Sequence, residues 1–284
     1  MTLSVAIITL NEEENLPRTL ESVKDLVREL GGEIVIVDSG STDRTLDIAR
    51  EYGAKVFAES WKGFAAQKNS AMEKCSGDWI LSLDADEPIE SQCADEIGKL
   101  FSDGHKKKRV RELDSLEILE RSMAAEEGKV PRNDADPSGY FIPRKNFFLG
   151  RWIRYGGFYP DRKLRLIRRG AGQWIEHGAH PTVRVNGPTA NLKHAMLHYA
   201  YPTLRGYIAH MNSYSTMQAE HLNKSRQRGF DLLNIVLNPI ATFLYNYIFR
   251  LGFLDGREGL LLHLYHSAYV SWKYAKAWEL NRKS

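Results

Sequence analysis

Three short apolar runs, each followed by a polar loop and then by residues spaced as on a helix, constrain this chain more than any other feature. Leu3-Ser4-Val5-Ala6-Ile7-Ile8-Thr9 is almost wholly apolar and rich in β-branched residues, as a strand buried on both faces of a sheet must be. Leu16, Leu20, Val23, Val27 and Leu30 then recur at helical spacing up to Gly31-Gly32, and Ile34-Val35-Ile36-Val37 is the second run. That succession predicts a βαβ unit with a right-handed crossover. Asn11 is placed to cap the first helix, with Glu12, Glu13 and Glu14 where its amino terminus favours negative charge. Ser41 or Thr42 is placed to cap a second helix through Leu46, Ala49 and Tyr52, stopped by Gly53. Ala54 to Phe57 reads as a third strand, Phe64 to Cys75 as a helix, Trp79-Ile80-Leu81 as a fourth strand and Ser91 to Leu100 as a helix. The fold class is α/β: a Rossmann-like, mixed but mostly parallel sheet flanked by helices.

In doubly wound sheets the carboxyl ends of the strands line the ligand crevice. Asp38 stands at the end of the second strand, placed either to accept hydrogen bonds from a nucleotide's base or ribose or to organise a helix-capping loop. Ser82-Leu83-Asp84-Ala85-Asp86-Glu87 ends the fourth. Two carboxylates one residue apart converge once strand pairing stops, and their oxygens suit Mg²⁺ or Mn²⁺, ions that also hold phosphates. The plainer reading is a solvated acidic turn. No Gly-x-Gly-x-x-Gly follows the first strand, which argues against a dinucleotide-binding sheet.

The blocks Val5 to Glu12, Ile36 to Asp43, Gln67-Lys68-Asn69 and Leu83 to Glu87 stand in the order seen in family-two glycosyltransferases, which the chain resembles. The resemblance implies a GT-A fold, a nucleotide-sugar donor and a divalent metal, Mg²⁺ or Mn²⁺. It implies that Thr9, Asn11, Glu12, Asp38 and Ser39 surround the nucleoside and that Lys68 or Asn69 lies near the nucleotide. Asp86 would reach the metal or diphosphate, and Asp84 the ribose or the metal's second side. Farther on, Gly157-Phe158-Tyr159-Pro160-Asp161 and Arg165-Leu166-Ile167-Arg168-Arg169-Gly170 resemble blocks of bacterial transferases acting on lipopolysaccharide core. That narrower resemblance implies inverting transfer to a lipid-linked glycan.

Inversion needs a base near the attacking hydroxyl. Asp161, ending a glycine-rich aromatic loop, is the first candidate; Glu176 and His180 are the rivals. That narrower group commonly carries an acid after the histidine, where this chain has Pro181. His177, His180, His194 and His198 have spacings that invite a zinc reading, but no cysteine lies near them and the pairs fall on different elements. Cys75 and Cys93 cannot build a disulfide framework, and with no signal peptide ahead of the first strand the cytoplasm is the expected compartment. A formal net charge of +3 is too small for a general polyanion binder, so no nucleic-acid partner is expected.

Residues 102–137 change composition, with Lys106-Lys107-Lys108-Arg109 followed by interleaved acids and bases, and read as a charged helical insertion. The expected division is a catalytic domain over 1–200 and a helical extension over 201–284. The apolar stretch Phe230 to Phe249 is interrupted by three asparagines and Pro239, which argues against a transmembrane span. The helices of the 201–284 extension, rich in Tyr, Trp and Lys/Arg, suit peripheral contact with the inner face of the cytoplasmic membrane. Three rival functions stand beside transfer to a glycan. They are transfer to a polyprenyl phosphate, nucleotide-sugar synthesis by a nucleotidyltransferase, and nucleotide-sugar binding without catalysis.

Overall fold

The computed structural model describes residues 1–102, 136–176, 181–225 and 231–282. The body of the charged insertion expected over 102–137 lies outside them, as do His177 and His180. The chain divides into two compact units. One comprises 1–142, 163–175 and 183–195; the other comprises 143–162, 176–182 and 196–284. Residues 143–162 and 196–200, placed before the expected boundary at 200, group with the carboxyl-terminal helices in this division.

The first unit opens with β1 (Leu3–Thr9), α1 (Leu16–Glu29), β2 (Glu33–Asp38), α2 (Thr45–Glu51), β3 (Lys55–Ala58), α3 (Phe64–Glu73), β4 (Trp79–Asp84) and α4 (Ser91–Ser102). Later strands are β5 (Gly139–Phe148), β6 (Arg151–Trp152), β7 (Asp161–Arg168), β8 (Gly172–Ile175), β9 (Thr182–Val185), β10 (Thr189–Asn191) and β11 (Met196–Tyr201). The main sheet runs β10-β5-β7-β4-β1-β2-β3. β1 pairs parallel with β2 and β4, β2 pairs parallel with β3, and β7 returns antiparallel to β4. This is the mixed, mostly parallel sheet expected. Register aligns the strand ends: Ile8 of β1 lies between Val37 of β2 and Asp84 of β4, and Thr9 faces Asp38.

Burial explains the strand sequences. Leu3, Val5, Ile7, Val35, Ile36 and Leu81 are wholly buried, and so are Leu16, Leu20 and Val23 on the inner stripe of α1. Gly32, at the turn between α1 and β2, is required by close approach, since a Cβ there would lie 1.9 Å from the Leu3 carbonyl oxygen. Two expected caps differ. Asn11 does not cap α1, which starts at Leu16 with a proline in its first turn, and Asp43 rather than Ser41 or Thr42 accepts from Thr45 N–H at the head of α2.

The second unit holds the far half of β5, β6, β11, α5 (Leu204–Ser225), α6 (Asn238–Leu244) and α7 (Gly256–Arg282). Two π-helical stretches, Leu233–Leu237 and Tyr245–Phe249, bracket α6. Phe148, Ile153, Tyr207 and Leu262 form its core. Lys276 on α7 ties α5 down by donating to Asn212 O at 2.8 Å and Ser215 Oγ at 2.7 Å. The aromatic residues of α7 do not form an open face: Tyr265, Tyr269, Trp272, Tyr274 and Trp278 are half-buried. Among the described residues no helix is long and apolar enough to cross a membrane.

Candidate active site

The ends of β1 and β2 are built as one piece. Thr9 Oγ1 donates to Asp38 Oδ2 at 2.8 Å, and Gly40 N–H and Ser41 N–H donate to Oδ1 at 2.9 and 2.8 Å. Ser41 Oγ completes the set at Oδ2. A carboxylate offers about four acceptor positions, so wholly buried Asp38 is fully engaged by its own loop. These hydrogen bonds hold it below the usual carboxylate range against the opposing pull of burial. Of the two readings of Asp38, this geometry displays the loop organiser; a nucleotide base would have to replace one of these donors.

Asn11 joins the two loops. Its backbone is left-handed at φ 55°, a conformation asparagine tolerates better than most residues. Its Oδ1 accepts from Thr42 N–H at 2.8 Å, while its own N–H donates to Ser41 Oγ at 2.8 Å. Glu12 N–H donates to Thr45 Oγ1 at 2.8 Å. Burial, offset in part by Asn15 and reinforced by Asp84 and Asp43, raises the Glu12 carboxyl above its ordinary value. Ser39 Oγ is out of reach of solvent and, among the described residues, has no hydrogen-bond partner, the kind of hydroxyl a bound ligand satisfies.

The acidic turn after β4 is held from both sides. Thr19 of α1 donates to Ala85 O at 2.6 Å, and Glu87 N–H closes the turn on Asp84 O at 3.0 Å. Asp84 lies between two buried cations, Lys68 Nζ at 2.5 Å and Arg165 Nη2 at 3.0 Å. Arg165 also pairs with the fully buried Glu87 at 2.8 Å. Both cations lie over the Trp174 ring, Lys68 at 4.2 Å and Arg165 at 5.2 Å from its centroid. Burial draws Lys68 below its ordinary range, opposed by Asp84; the two cations keep Asp84 ionised although burial acts against it.

Asp86 sits differently. Burial first, then the charges of Glu87, Asp84 and Glu12, push its carboxyl up to about 7. Lys68 and Arg165 lie against Asp84 and Glu87, while Glu87, Asp84 and Glu12 all bear on Asp86. Among the described residues no three His, Cys, Asp or Glu side chains gather into a ready-made metal cage. The oxygen set still fits a magnesium-like ion, which takes one or two carboxylates and completes its shell with water and substrate phosphate. Asp86 is the residue expected to hold it, and Asp84, expected as the second metal position, is engaged by Lys68 and Arg165.

Asn69 has a structural use. Its Nδ2 donates to Trp174 O and its Oδ1 accepts from Trp174 N–H, both at 2.8 Å, so its amide fastens α3 to β8. Sequence reasoning missed Glu87, Arg165 and Trp174. The available signals were the acid directly after Asp86 and the alternating basic face of β7.

In the second unit, Asp161 Oδ2 accepts from Arg144 Nε at 2.9 Å, Arg144 Nη2 at 2.7 Å and Asn146 Nδ2 at 3.2 Å. His198 Nδ1 meets Asn146 Oδ1 at 2.7 Å, extending the network. Asp161 is thus fixed in orientation by a guanidinium. Glu176 is exposed just past β8, and His180 lies outside the described residues.

A model of the family described as glycosyl transferase family 2 matches residues 4–106. The lipopolysaccharide core biosynthesis glycosyltransferase LpsC of Rhizobium meliloti is 31% identical over 261 residues, covering 89% of this chain and 82% of its own. An uncharacterized glycosyltransferase of Rickettsia typhi, RT0209, is 28% identical over 288 residues, covering 99% of this chain and 88% of its own. Among solved structures, S. aureus TarS 1-349 aligns over 100% of this chain and 92% of its own, with 15% identity and a TM-score of 0.42.

Proposed function

The chain belongs to glycosyltransferase family 2, and from that premise we propose that it moves a sugar from a nucleotide-sugar donor to a lipid-linked glycan such as lipopolysaccharide core. We propose further that the transfer inverts the anomeric centre, is assisted by Mg²⁺ or Mn²⁺, and takes place at the inner face of the cytoplasmic membrane. The observation that carries the donor reading is the acidic corner at the end of β4. There Glu12, Asp84, Asp86 and Glu87 bring four carboxylates close enough to act on one another, beside the Lys68–Asp84–Arg165 cluster, an oxygen-rich setting that suits a divalent ion. A likeness to LpsC, named for lipopolysaccharide core biosynthesis, supports the acceptor class.

Transfer releases a nucleoside diphosphate, and its growing charge must be offset in the transition state. A bound divalent ion supplies Lewis acidity for that purpose. Asp86 holds the ion in this reading, while Lys68 and Arg165 keep Asp84 fixed in its ionised form. The knitted loops at Thr9–Glu12 and Asp38–Ser41 present a rigid wall to the nucleoside, and Ser39 Oγ is a donor ready for it. The attacking hydroxyl must lose a proton. Asp161, held in orientation by Arg144 and Asn146, is the base we favour over the exposed Glu176 and over His180.

The deciding experiment screens nucleotide-sugars for thermal stabilisation with and without Mn²⁺, because a ligand bound only by the folded protein raises its melting temperature. One donor should stabilise in a metal-dependent way, and Asp86→Ala should abolish the effect. If no nucleotide-sugar stabilises the protein, the donor reading fails. Turnover of Asp161→Asn, Glu176→Gln and His180→Ala then identifies the base, whose loss should cost about a hundredfold or more. Transfer to polyprenyl phosphate in place of a core glycan would replace the acceptor reading with its nearest rival.

A further inference from the structure

Residues 232–249 contain no charged side chain, yet many of their large apolar side chains face solvent. Exposure recurs every fourth residue: Leu232, Val236, Ile240, Leu244 and Ile248 form one row, and Ile240 is 53% exposed. Leu233, Leu237, Tyr245 and Phe249 form a second row beside it, ending on Phe249 at 75% exposure.

A uniform α-helix would not keep such rows straight. At 3.6 residues per turn, each step of four overshoots a full turn by about 40°, and four steps would carry the last rung to the opposite side. The π-helical stretches Leu233–Leu237 and Tyr245–Phe249 hold more residues per turn and correct the drift around α6. The result is an apolar ridge about 25 Å long on one side of the segment.

The other side is anchored. Ser271 Oγ of α7 donates to Ile235 O at 2.8 Å, and the Tyr247 ring lies 6.1 Å from that of His263. Two of the three interrupting asparagines are bonded along the helix, Asn238 donating to Asn234 and Asn234 to Asp231. An outward apolar face fixed this way is a surface, not a loose segment.

We propose that this ridge is a membrane-docking surface that lies in the headgroup region of an anionic bilayer, with its apolar rows in the upper acyl layer. Charge complementarity selects that occupant. The uncharged stretch is followed by Arg250 and Arg257, both exposed, and Arg250 lies over the ring of Tyr245 in the second row. Cations beside an apolar face match anionic headgroups around an apolar interior. The inference deepens the lipid-linked acceptor reading and rests on it for its purpose. Within the 201–284 extension it assigns the membrane contact to this segment ahead of α7, whose rings are half-buried.

The test uses the full chain carrying Ile240→Cys and an environment-sensitive dye; Cys75 and Cys93 are buried and do not compete for it. Phosphatidylcholine vesicles containing phosphatidylglycerol should shift the dye emission to the blue and carry the protein down on sedimentation. Vesicles without the anionic lipid, or high salt, should weaken both. Leu237→Ser with Ile240→Ser in otherwise native protein should weaken vesicle binding about tenfold or more. The melting temperature should barely change, because the substituted side chains are exposed. Failure to bind anionic vesicles, or binding unchanged in the double variant, overturns the proposal. So does a concentration-dependent dimer that the same substitutions dissociate, which would assign the ridge to a second copy. Donor-induced stabilisation is measured without vesicles. Vesicle binding without it supports the ridge and sinks the donor reading; the reverse outcome sinks the ridge alone.

Discussion

Arg165 stands 81 positions from Asp84 in the chain and 3.0 Å from it in space. It is 5% exposed and bonded to two carboxylates, so removing it takes a buried cation from Asp84, which keeps Lys68, and from the fully buried Glu87. Arg165→Met should therefore destabilise the protein by about 3–5 kcal/mol in urea unfolding, far more than a surface arginine would. Asp86→Asn should behave in the opposite way. Its carboxyl is disfavoured in the folded state, so the neutral isostere should unfold no more readily than wild type at neutral pH while losing metal-dependent donor stabilisation. Thermal shift with and without Mn²⁺ separates these outcomes. The carboxylate pair was legible because two acids at the end of an apolar run are local information. The cations that fix Asp84 were not, because Lys68 and Arg165 reach it from α3 and β7, through a helix packing and an antiparallel return that no short window encodes.

The loops after β1 and β2 act as one element, and Asn11 is the residue that makes them so. Asn11→Ala removes the acceptor for Thr42 N–H and leaves an alanine in the left-handed region, costing about 2 kcal/mol together. Asn11→Gly loses the hydrogen bond without the strain and should cost roughly half as much, so the order of melting temperatures tests the geometry. The strands themselves were readable from apolar runs and the helices from their stripes. Misassigned ends arose where a polar residue had two uses: Asn11 looks like a cap in sequence but bridges two loops in space. The opposite end of the same sheet is built for stability. Glu33, at the start of β2, accepts from Ser4 Oγ, Lys55 Nζ and both Ser76 N–H and Oγ, at 2.6–2.8 Å. Although burial opposes them, these bonds hold its carboxyl down to about 2. A depressed acid contributes its stability above its unfolded value and loses it as pH falls through the folded one. The sheet should thus weaken between about pH 4.5 and 2. Glu33→Gln should cost about 2 kcal/mol at pH 7 and flatten that slope.

At the scale of the whole molecule, the two units should answer acid in different windows, because the second keeps its titrating group as a buried neutral histidine. His263 on α7 is 1% exposed and, among the described residues, neither ring nitrogen has a hydrogen-bond partner. It fits between Gly156 and Gly252, where any Cβ would collide with its ring, at 2.0 and 2.4 Å. Burial, helped by His266 and opposed by Asp255, draws it down to about 4. Between that value and an unfolded histidine's 6.5 the unfolded chain binds the extra proton, so stability rises with pH there and is lost as pH falls from about 6.5 to 4. The second unit should therefore loosen before the Glu33 end of the first unit begins to titrate. His263→Leu should lower the melting temperature through imperfect packing yet remove most of its dependence on pH across that window. Proteolysis by pepsin at pH 5, mapped by mass spectrometry, should cut α5 to α7 of wild type before β1 to β4. First cuts within β1 to β4, or an unchanged pH slope in His263→Leu, would show that His263 does not set the acid limit of its unit.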